Sequence, residues 1–196
     1  MALGKYFMGI SYTTRRGRTY YLHTGPRRGG GTQHFVSTDP EGALADSFPA
    51  GFEIYETPNG QVYLRKKKPA LIQPAELALV EKELRKRQSP QHSYVAEVIG
   101  AMIVIHEGDT HIDALREINF RFSARGLEDY AVRNARYTPV MRFVLREEVP
   151  RVFEPERYCF RGSVEDWISI GDPDQLQRLT SKFLKHLGTD LIYELY

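Results

Sequence analysis

Five side chains that can bind a metal ion lie close together in the middle of the chain. They are His106, Glu107, Asp109, His111 and Asp113, and an apolar run that predicts a strand precedes them. Imidazole and carboxylate groups suit zinc, manganese or iron. The segment is therefore a candidate divalent-metal site, with His106, His111 and Asp113 as ligands and Glu107 as a general base. The spacing matches no standard zinc or calcium motif. A metal-dependent hydrolase or nuclease is therefore only an alternative hypothesis.

Positively charged side chains recur in the first half, where turns and strand ends are predicted. Lysine and arginine at hairpin tips neutralise phosphates, and exposed aromatic rings stack on bases. The same charges also suit a solvated surface, where lysines protect an edge strand from aggregation. The candidate nucleic-acid-binding residues are Arg15, Arg16, Arg18, Tyr20, Tyr21, Arg27, Arg28, Lys66 and Lys67.

The near-neutral total charge hides an uneven distribution. Residues 1–88 hold 14 Lys or Arg against 8 Asp or Glu, whereas residues 89–196 hold 13 against 17. The formal net charge of the whole chain is only +2. A basic first half joined to an acidic second half predicts a surface that meets a polyanion.

Other motifs argue against familiar enzyme classes. Three glycines, Gly29 to Gly31, follow two arginines but lack the lysine and hydroxyl of a P-loop, so a hairpin loop is predicted. The single cysteine, Cys159, excludes an intramolecular disulfide and a cysteine-rich zinc site. Its aromatic neighbours predict a small residue packed in a strand rather than a nucleophile. No Gly-x-Ser-x-Gly motif is present.

Several short strands must position the basic residues. A five-stranded antiparallel front is predicted over roughly Lys5–Lys68, and its clearest part is a hairpin over Phe52–Lys67. The residues from Thr57 to Gln61 form its turn, because Pro58 presets φ and Gly60 accepts a left-handed conformation. This turn pairs Glu53 with Arg65, Ile54 with Leu64 and Tyr55 with Tyr63.

The second half mixes helices and strands. Pro74 begins a helix that extends to about Gln88. Asp172 and Pro173 begin a second helix, which ends before Gly188. The remaining predicted elements are a strand over Tyr94–His106 with a bulge or bend at Gly100, a short helix within Asp109–Phe120, and strands over Thr138–Arg146, Val152–Arg161 and Asp190–Leu195.

The predicted fold class is α+β: an N-terminal antiparallel β-meander with hairpins, a connecting helix, and a C-terminal mixed sheet with a packed helix. The regions are 1–70 (basic), 71–90 (helix) and 91–196 (acidic), and they could pack as one domain. The longest apolar stretch, Val98 to Ile105, is too short to cross a bilayer, and no secretory signal begins the sequence. We therefore expect a cytoplasmic protein without membrane contact.

Three functions fit these observations. The first is a non-enzymatic binding module that contacts nucleic acid or another polyanion through its basic hairpin loops. The second is the metal-dependent hydrolase, with a divalent metal as cofactor. The third is an adaptor in a larger protein complex or a homo-oligomer, in which the acidic half meets a basic partner.

Overall fold

The computed structural model describes residues 9–89, 91–110, 124–161 and 164–195. The chain folds into two compact units, Met1–Lys68 and Pro69–Tyr196. The class is α+β, with antiparallel sheets of three, two and five strands and, within the described ranges, three α-helices. None of the helices in those ranges is long and apolar enough to span a membrane.

The N-terminal unit contains a three-stranded meander in the order β1-β2-β3. Leu22 in β2 is its most buried apolar residue, and an extended segment beside β2 adds Ala45, which donates its backbone N–H to the Leu22 carbonyl. The strands are β1 (Ser11–Thr13), β2 (Thr19–Pro26) and β3 (Thr32–Ser37).

A separate hairpin follows, made of β4 (Phe52–Glu56) and β5 (Val62–Lys66). Its register is the predicted one, with Glu53 opposite Arg65, Ile54 opposite Leu64 and Tyr55 opposite Tyr63. The five antiparallel strands predicted for this region are present, but in the described residues they form two sheets, the three-stranded meander and the β4–β5 hairpin, rather than one continuous front.

The C-terminal unit is built on a five-stranded sheet in the order β10-β9-β8-β7-β6. Every pair is antiparallel, so the predicted mixed sheet is wrong. Neighbouring strands follow one another along the chain, and no parallel crossover is formed. The strands are β6 (His92–Ile99), β7 (Met102–Asp109), β8 (Arg136–Glu147), β9 (Val152–Arg161) and β10 (Val164–Ser169).

Side-chain alternation gives this sheet one apolar face. The main core of the unit combines Ile103, Ile105, Met141, Phe143 and Phe153 with apolar residues of two helices. Burial of such side chains supplies the main stabilisation. The helices of the unit are α1 (Pro74–Arg85), α2 (Ala124–Asn134) and α3 (Leu176–Phe183), and α1 and α3 contribute to this core.

Three predicted elements differ from the structure. The single strand predicted over Tyr94–His106 is a hairpin of two strands, β6 and β7, and Gly100, with a φ of 61°, lies in the turn between them. Helix α3 begins four residues after Asp172, because Asp174 exchanges backbone hydrogen bonds with Phe153 and keeps the chain extended there. The segment Asp190–Glu194 is a 3-10 helix rather than a strand.

The last difference has a tertiary cause. The guanidinium of Arg157 donates hydrogen bonds to the carbonyls of Tyr193 and Leu195, at 3.1 and 3.2 Å. Ile192 is buried, whereas Leu191 and Tyr193 are exposed. The Arg157 side chain therefore donates hydrogen bonds to backbone carbonyls that would pair with a neighbouring strand if this segment were a strand. The short helix predicted within Asp109–Phe120 lies mostly outside the described residues.

Candidate nucleic-acid interface

The candidate basic residues of the meander lie at two opposite ends of β2. The β1–β2 turn carries Arg15, Arg16 and Arg18, and the β2–β3 turn carries Arg27 and Arg28. Strand β2 has eight residues, which at about 3.3 Å per residue separates the two turns by roughly 25 Å. The two arginine groups therefore do not form one continuous cluster.

Arg15 is neutralised by a carboxylate of the β4–β5 hairpin. Its Nε lies 3.3 Å from Oε1 of Glu56, and its terminal nitrogen donates to the Thr57 carbonyl at 2.8 Å. Tyr12 Oη donates to the other Glu56 oxygen at 2.7 Å. Burial raises the pKa of Tyr12, and the hydrogen bond and charge of Glu56 raise it further. This cluster joins the meander to the hairpin.

The other two arginines of this turn differ from each other. Arg16 lies over Gly60, where a Cβ would be only 2.9 Å from the arginine Cδ. The positive φ of Gly60 and this close approach both explain why the turn has a glycine. Arg18 is exposed, and no salt bridge to a described carboxylate is present.

The two tyrosines proposed to stack on bases point to opposite faces of β2. Tyr20 pairs with Tyr12, and Tyr21 pairs with Ser11 and Ser37. Successive residues of a strand alternate between faces, and both rings are partly buried. The two rings are therefore not neighbours on one stacking surface.

Arg27 and Arg28 occupy an exposed glycine-rich turn. Arg27 donates its backbone N–H to Gly31 and accepts one from Gly30, which closes the hairpin. Gly29, Gly30 and Gly31 all have positive φ, a conformation that L side chains avoid. Within the described ranges, neither arginine forms a salt bridge. The Arg27 and Arg28 side chains are therefore exposed to solvent, and the three glycines that follow them have no side chains that could cover them.

A second exposed basic segment follows the β4–β5 hairpin. Lys66 ends β5, and Lys67 donates its backbone N–H to the Gly51 carbonyl at 2.8 Å. Lys66, Lys67 and Lys68 are exposed and, in the part of the chain that is described, outside any ion pair. Strand β5 contacts β3, the strand that leaves the Arg27–Arg28 turn.

Two exposed aromatic rings on the strands of this unit were not among the predicted stacking residues. Tyr63 is 49% exposed and Phe35 is 43% exposed, more than either Tyr20 or Tyr21. Alternation in β5 already indicates the outward position of Tyr63, because Val62 and Leu64 point to the other face. Phe35 stacks on the ring of His23 with centroids 5.3 Å apart.

The alternative metal site is described only in part. His106 Nε2 lies 2.9 Å from Oε2 of Glu97, although the two groups are not aligned for a hydrogen bond. Glu107 follows His106 in β7 and points to the opposite face, so it cannot act as a base beside a metal held by His106. His111 and Asp113 lie outside the described residues. Among the residues that are described, no three His, Cys, Asp or Glu side chains meet as a metal site.

Glu107 instead organises two aromatic side chains at the start of β6. His92 Nδ1 lies 2.9 Å and Tyr94 Oη 3.1 Å from the same carboxylate oxygen, Oε1. Burial raises the pKa of Tyr94, and the charge and hydrogen bond of Glu107 raise it further. Gly188 lies against both rings, and a Cβ there would be 2.8 Å from Tyr94 Oη. The cluster fixes the end of the β6–β7 hairpin near the C-terminal segment.

Comparison with known proteins gives no relative: neither a protein-family model, nor a curated protein, nor a solved structure matches the chain.

Proposed function

We propose that the N-terminal unit binds nucleic acid or another polyanion, and that Arg27 and Arg28 are its principal contacts. The observation that carries this proposal is the exposed pair of guanidinium groups on the Gly29–Gly31 turn, with no described carboxylate to neutralise them. Phosphate oxygens accept the parallel N–H groups of a guanidinium in a bidentate arrangement.

The charges that remain after internal pairing support the same proposal. Residues 1–68 hold ten Lys or Arg and five Asp or Glu. Two of the basic residues are bound within the unit, Arg15 to Glu56 and Arg65 to Glu53. Lys66 and Lys67 are exposed at the end of β5 and supply a second group of cations. Arg18 adds one exposed charge at the other end of the meander.

The expected mode of binding is directed at the phosphate backbone. Exposed lysine and arginine side chains contact phosphates without reading base edges, so affinity should depend little on sequence. Tyr63 and Phe35 offer exposed rings, which favours single strands because their bases are free to stack. Tyr20 and Tyr21, being partly buried on opposite faces, contribute less to this mode.

The test is the salt dependence of affinity for a fluorescently labelled oligothymidine, measured by anisotropy. The logarithm of the binding constant should fall linearly with the logarithm of salt concentration. The double variant Arg27→Gln/Arg28→Gln removes two phosphate contacts, so the slope should become shallower by about 1.4, at about 0.7 per contact.

A matched control removes the same charge from the other unit. Lys182 and Lys185 are exposed in the C-terminal unit, and the double variant Lys182→Gln/Lys185→Gln should retain the affinity and slope of the parent protein. The proposal is wrong if the parent protein does not bind at low salt. It is also wrong if the control loses as much affinity as the arginine variant, since net charge alone would then explain binding.

A further inference from the structure

Strand β10 is an edge of the five-stranded sheet, and half of its backbone groups face outward. Ile170 donates its N–H inward to Pro155 at 3.0 Å, whereas the Trp167 N–H is bound by the Asp166 carboxylate at 2.7 Å. Alternate residues of an antiparallel pair point their backbone groups toward and away from the partner strand. Glu165, Trp167 and Ser169 therefore direct theirs to the outer edge, where no described strand pairs with them.

Three aromatic side chains lie on one face beside this edge. Tyr158 makes edge-to-face contacts with Phe160 and Trp167, with ring centroids 5.3 and 5.1 Å apart. The Arg142 guanidinium lies 4.3 Å from the Trp167 ring centroid on the same face. Phe160 is 74% exposed, which is unusual for so large an apolar side chain. We call Tyr158, Phe160 and Trp167 the aromatic platform.

The charge around the aromatic platform is negative. Arg142 is bound to Glu156, and Arg146 is bound to both Glu154 and Glu156, so these arginines are neutralised. Glu165, opposite Phe160, and Asp166 are exposed and form no ion pair with a described residue. A cation placed against the platform would meet the exposed ring of Phe160 and the carboxylate of Glu165, whereas the Asp166 side chain lies on the other face of β10.

We infer that β10 binds an extended, lysine- or arginine-bearing segment of a partner protein, which adds to the sheet as a sixth strand. In the complex, the Trp167 N–H would donate a hydrogen bond to a backbone carbonyl of the bound segment. The Asp166 carboxylate, released from that N–H, would form an ion pair with a lysine or arginine of the segment. Its cationic side chains on the platform side would lie against Phe160 and Glu165. This inference concerns the C-terminal unit and does not depend on the proposed polyanion binding.

The carboxylate of Asp166 gives the edge its selectivity. While it binds the Trp167 N–H, it blocks strand addition, as charged groups on edge strands commonly do. When a basic segment binds, Asp166 loses its hydrogen bond to the Trp167 N–H but gains an ion pair with a lysine or arginine of the segment. A neutral or acidic segment offers Asp166 no such ion pair. Strand addition supplies affinity through the backbone, and the side chains supply selectivity.

Trp167 is the only tryptophan of the chain, so its fluorescence reports on this edge directly. The probe is a short peptide of alternating lysine and threonine with blocked ends. It should change the fluorescence in a saturable way, whereas an alternating glutamate and threonine peptide should not. Phe160→Ala and Glu165→Gln should each weaken binding roughly 2- to 5-fold, the range expected for loss of an exposed cation–π contact or an exposed ion pair.

A third peptide separates strand addition from simple charge attraction. It keeps the lysine and threonine side chains, but its backbone nitrogens are methylated at alternate positions, so it cannot pair with β10. The inference is overturned if this peptide binds as well as the unmethylated one, or if the glutamate peptide binds equally. It is also overturned if sedimentation shows a dimer that Phe160→Ala dissociates, because a second copy of the chain would then occupy the edge.

Discussion

Arg15 in the first turn and Glu56 at the end of β4 form an ion pair, with Nε 3.3 Å from Oε1, although 41 positions separate them in the sequence. The Glu56 side chain is only 6% exposed, and it also accepts hydrogen bonds from Tyr12 Oη and from the Arg15 backbone N–H. This arginine therefore serves the structure of the N-terminal unit, and its charge is largely cancelled.

Because Arg15 is bound to Glu56 and Arg27 is exposed, we expect substitution by glutamine to change stability at Arg15 but not at Arg27. Arg15→Gln should destabilise the N-terminal unit by about 1–3 kcal/mol, because a largely buried carboxylate loses its charged partner. Arg27→Gln should leave stability unchanged, since the side chain is exposed and outside any described ion pair. Hydrogen exchange of the β2 amides, including that of Leu22, measures the change.

Oligonucleotide binding supplies the complementary measurement. Arg27→Gln should make the salt dependence shallower, whereas Arg15→Gln should leave it close to that of the parent protein. If Arg15→Gln reduces the slope as much as Arg27→Gln without faster exchange in β2, the Arg15–Glu56 ion pair does not persist in solution.

Gly188 predicts a steric effect in the C-terminal unit. Its φ is 73°, and a Cβ would lie 2.8 Å from Tyr94 Oη and 3.2 Å from His92 Nδ1. Gly188→Ala should therefore combine left-handed strain, about 1–2 kcal/mol, with an overpacking cost of about 1–3 kcal/mol. Urea unfolding followed by Trp167 fluorescence measures the loss of stability in this unit.

Gly100 offers a matched control in the same unit. Its φ is 61°, but a Cβ there would meet nothing within 4 Å. Gly100→Ala should show only the left-handed strain, so Gly188→Ala should be the more destabilising of the two. Equal losses would mean that Tyr94 and His92 move away from position 188 at no cost.

Local signals predicted the β4–β5 hairpin completely. The turn residues Pro58 and Gly60, together with cross-strand pairs such as Tyr55 with Tyr63, all lie within 16 residues, from Phe52 to Lys67, and agree with one register. The strands predicted over Thr138–Arg146 and Val152–Arg161 are confirmed as β8 and β9, in which β-branched and aromatic residues recur along the segment.

Contacts between residues far apart in the sequence determine the structure of segments that local sequence patterns predicted wrongly or missed. The apolar run of Leu191, Ile192 and Tyr193 is typical of a strand, but the segment forms a 3-10 helix, and carbonyls at its end accept hydrogen bonds from Arg157. Strand β10 was not predicted, because Glu165 and Asp166 interrupt its short apolar pattern.

The candidate interface depends on distant contacts in the same way. Sequence alone identifies Arg15 and Arg27 as equivalent basic turn residues. Only the fold places Glu56 beside one of them and leaves the other exposed. Which cations remain available to a polyanion is therefore a property of the tertiary structure.

Tyr94 predicts a loss of stability at alkaline pH. Burial raises its pKa above the ordinary value of 10, and the charge and hydrogen bond of Glu107 add to this. Below pH 10 the hydroxyl is neutral in both the folded and the unfolded chain, so its hydrogen bond to Glu107 contributes fully. As the pH rises through 10 the unfolded chain releases this proton first, and the free energy of unfolding falls.

Tyr94→Phe removes this ionisation together with the hydrogen bond. We expect the variant to be less stable at neutral pH by about 1–2 kcal/mol, yet to lose less stability than the parent protein above pH 10. Urea unfolding followed by circular dichroism, at several values on either side of pH 10, measures both effects. Tyr130→Phe, at an exposed position, is the control. An identical alkaline decline in the parent protein and in Tyr94→Phe would show that Tyr94 ionises as readily in the folded chain as in the unfolded one.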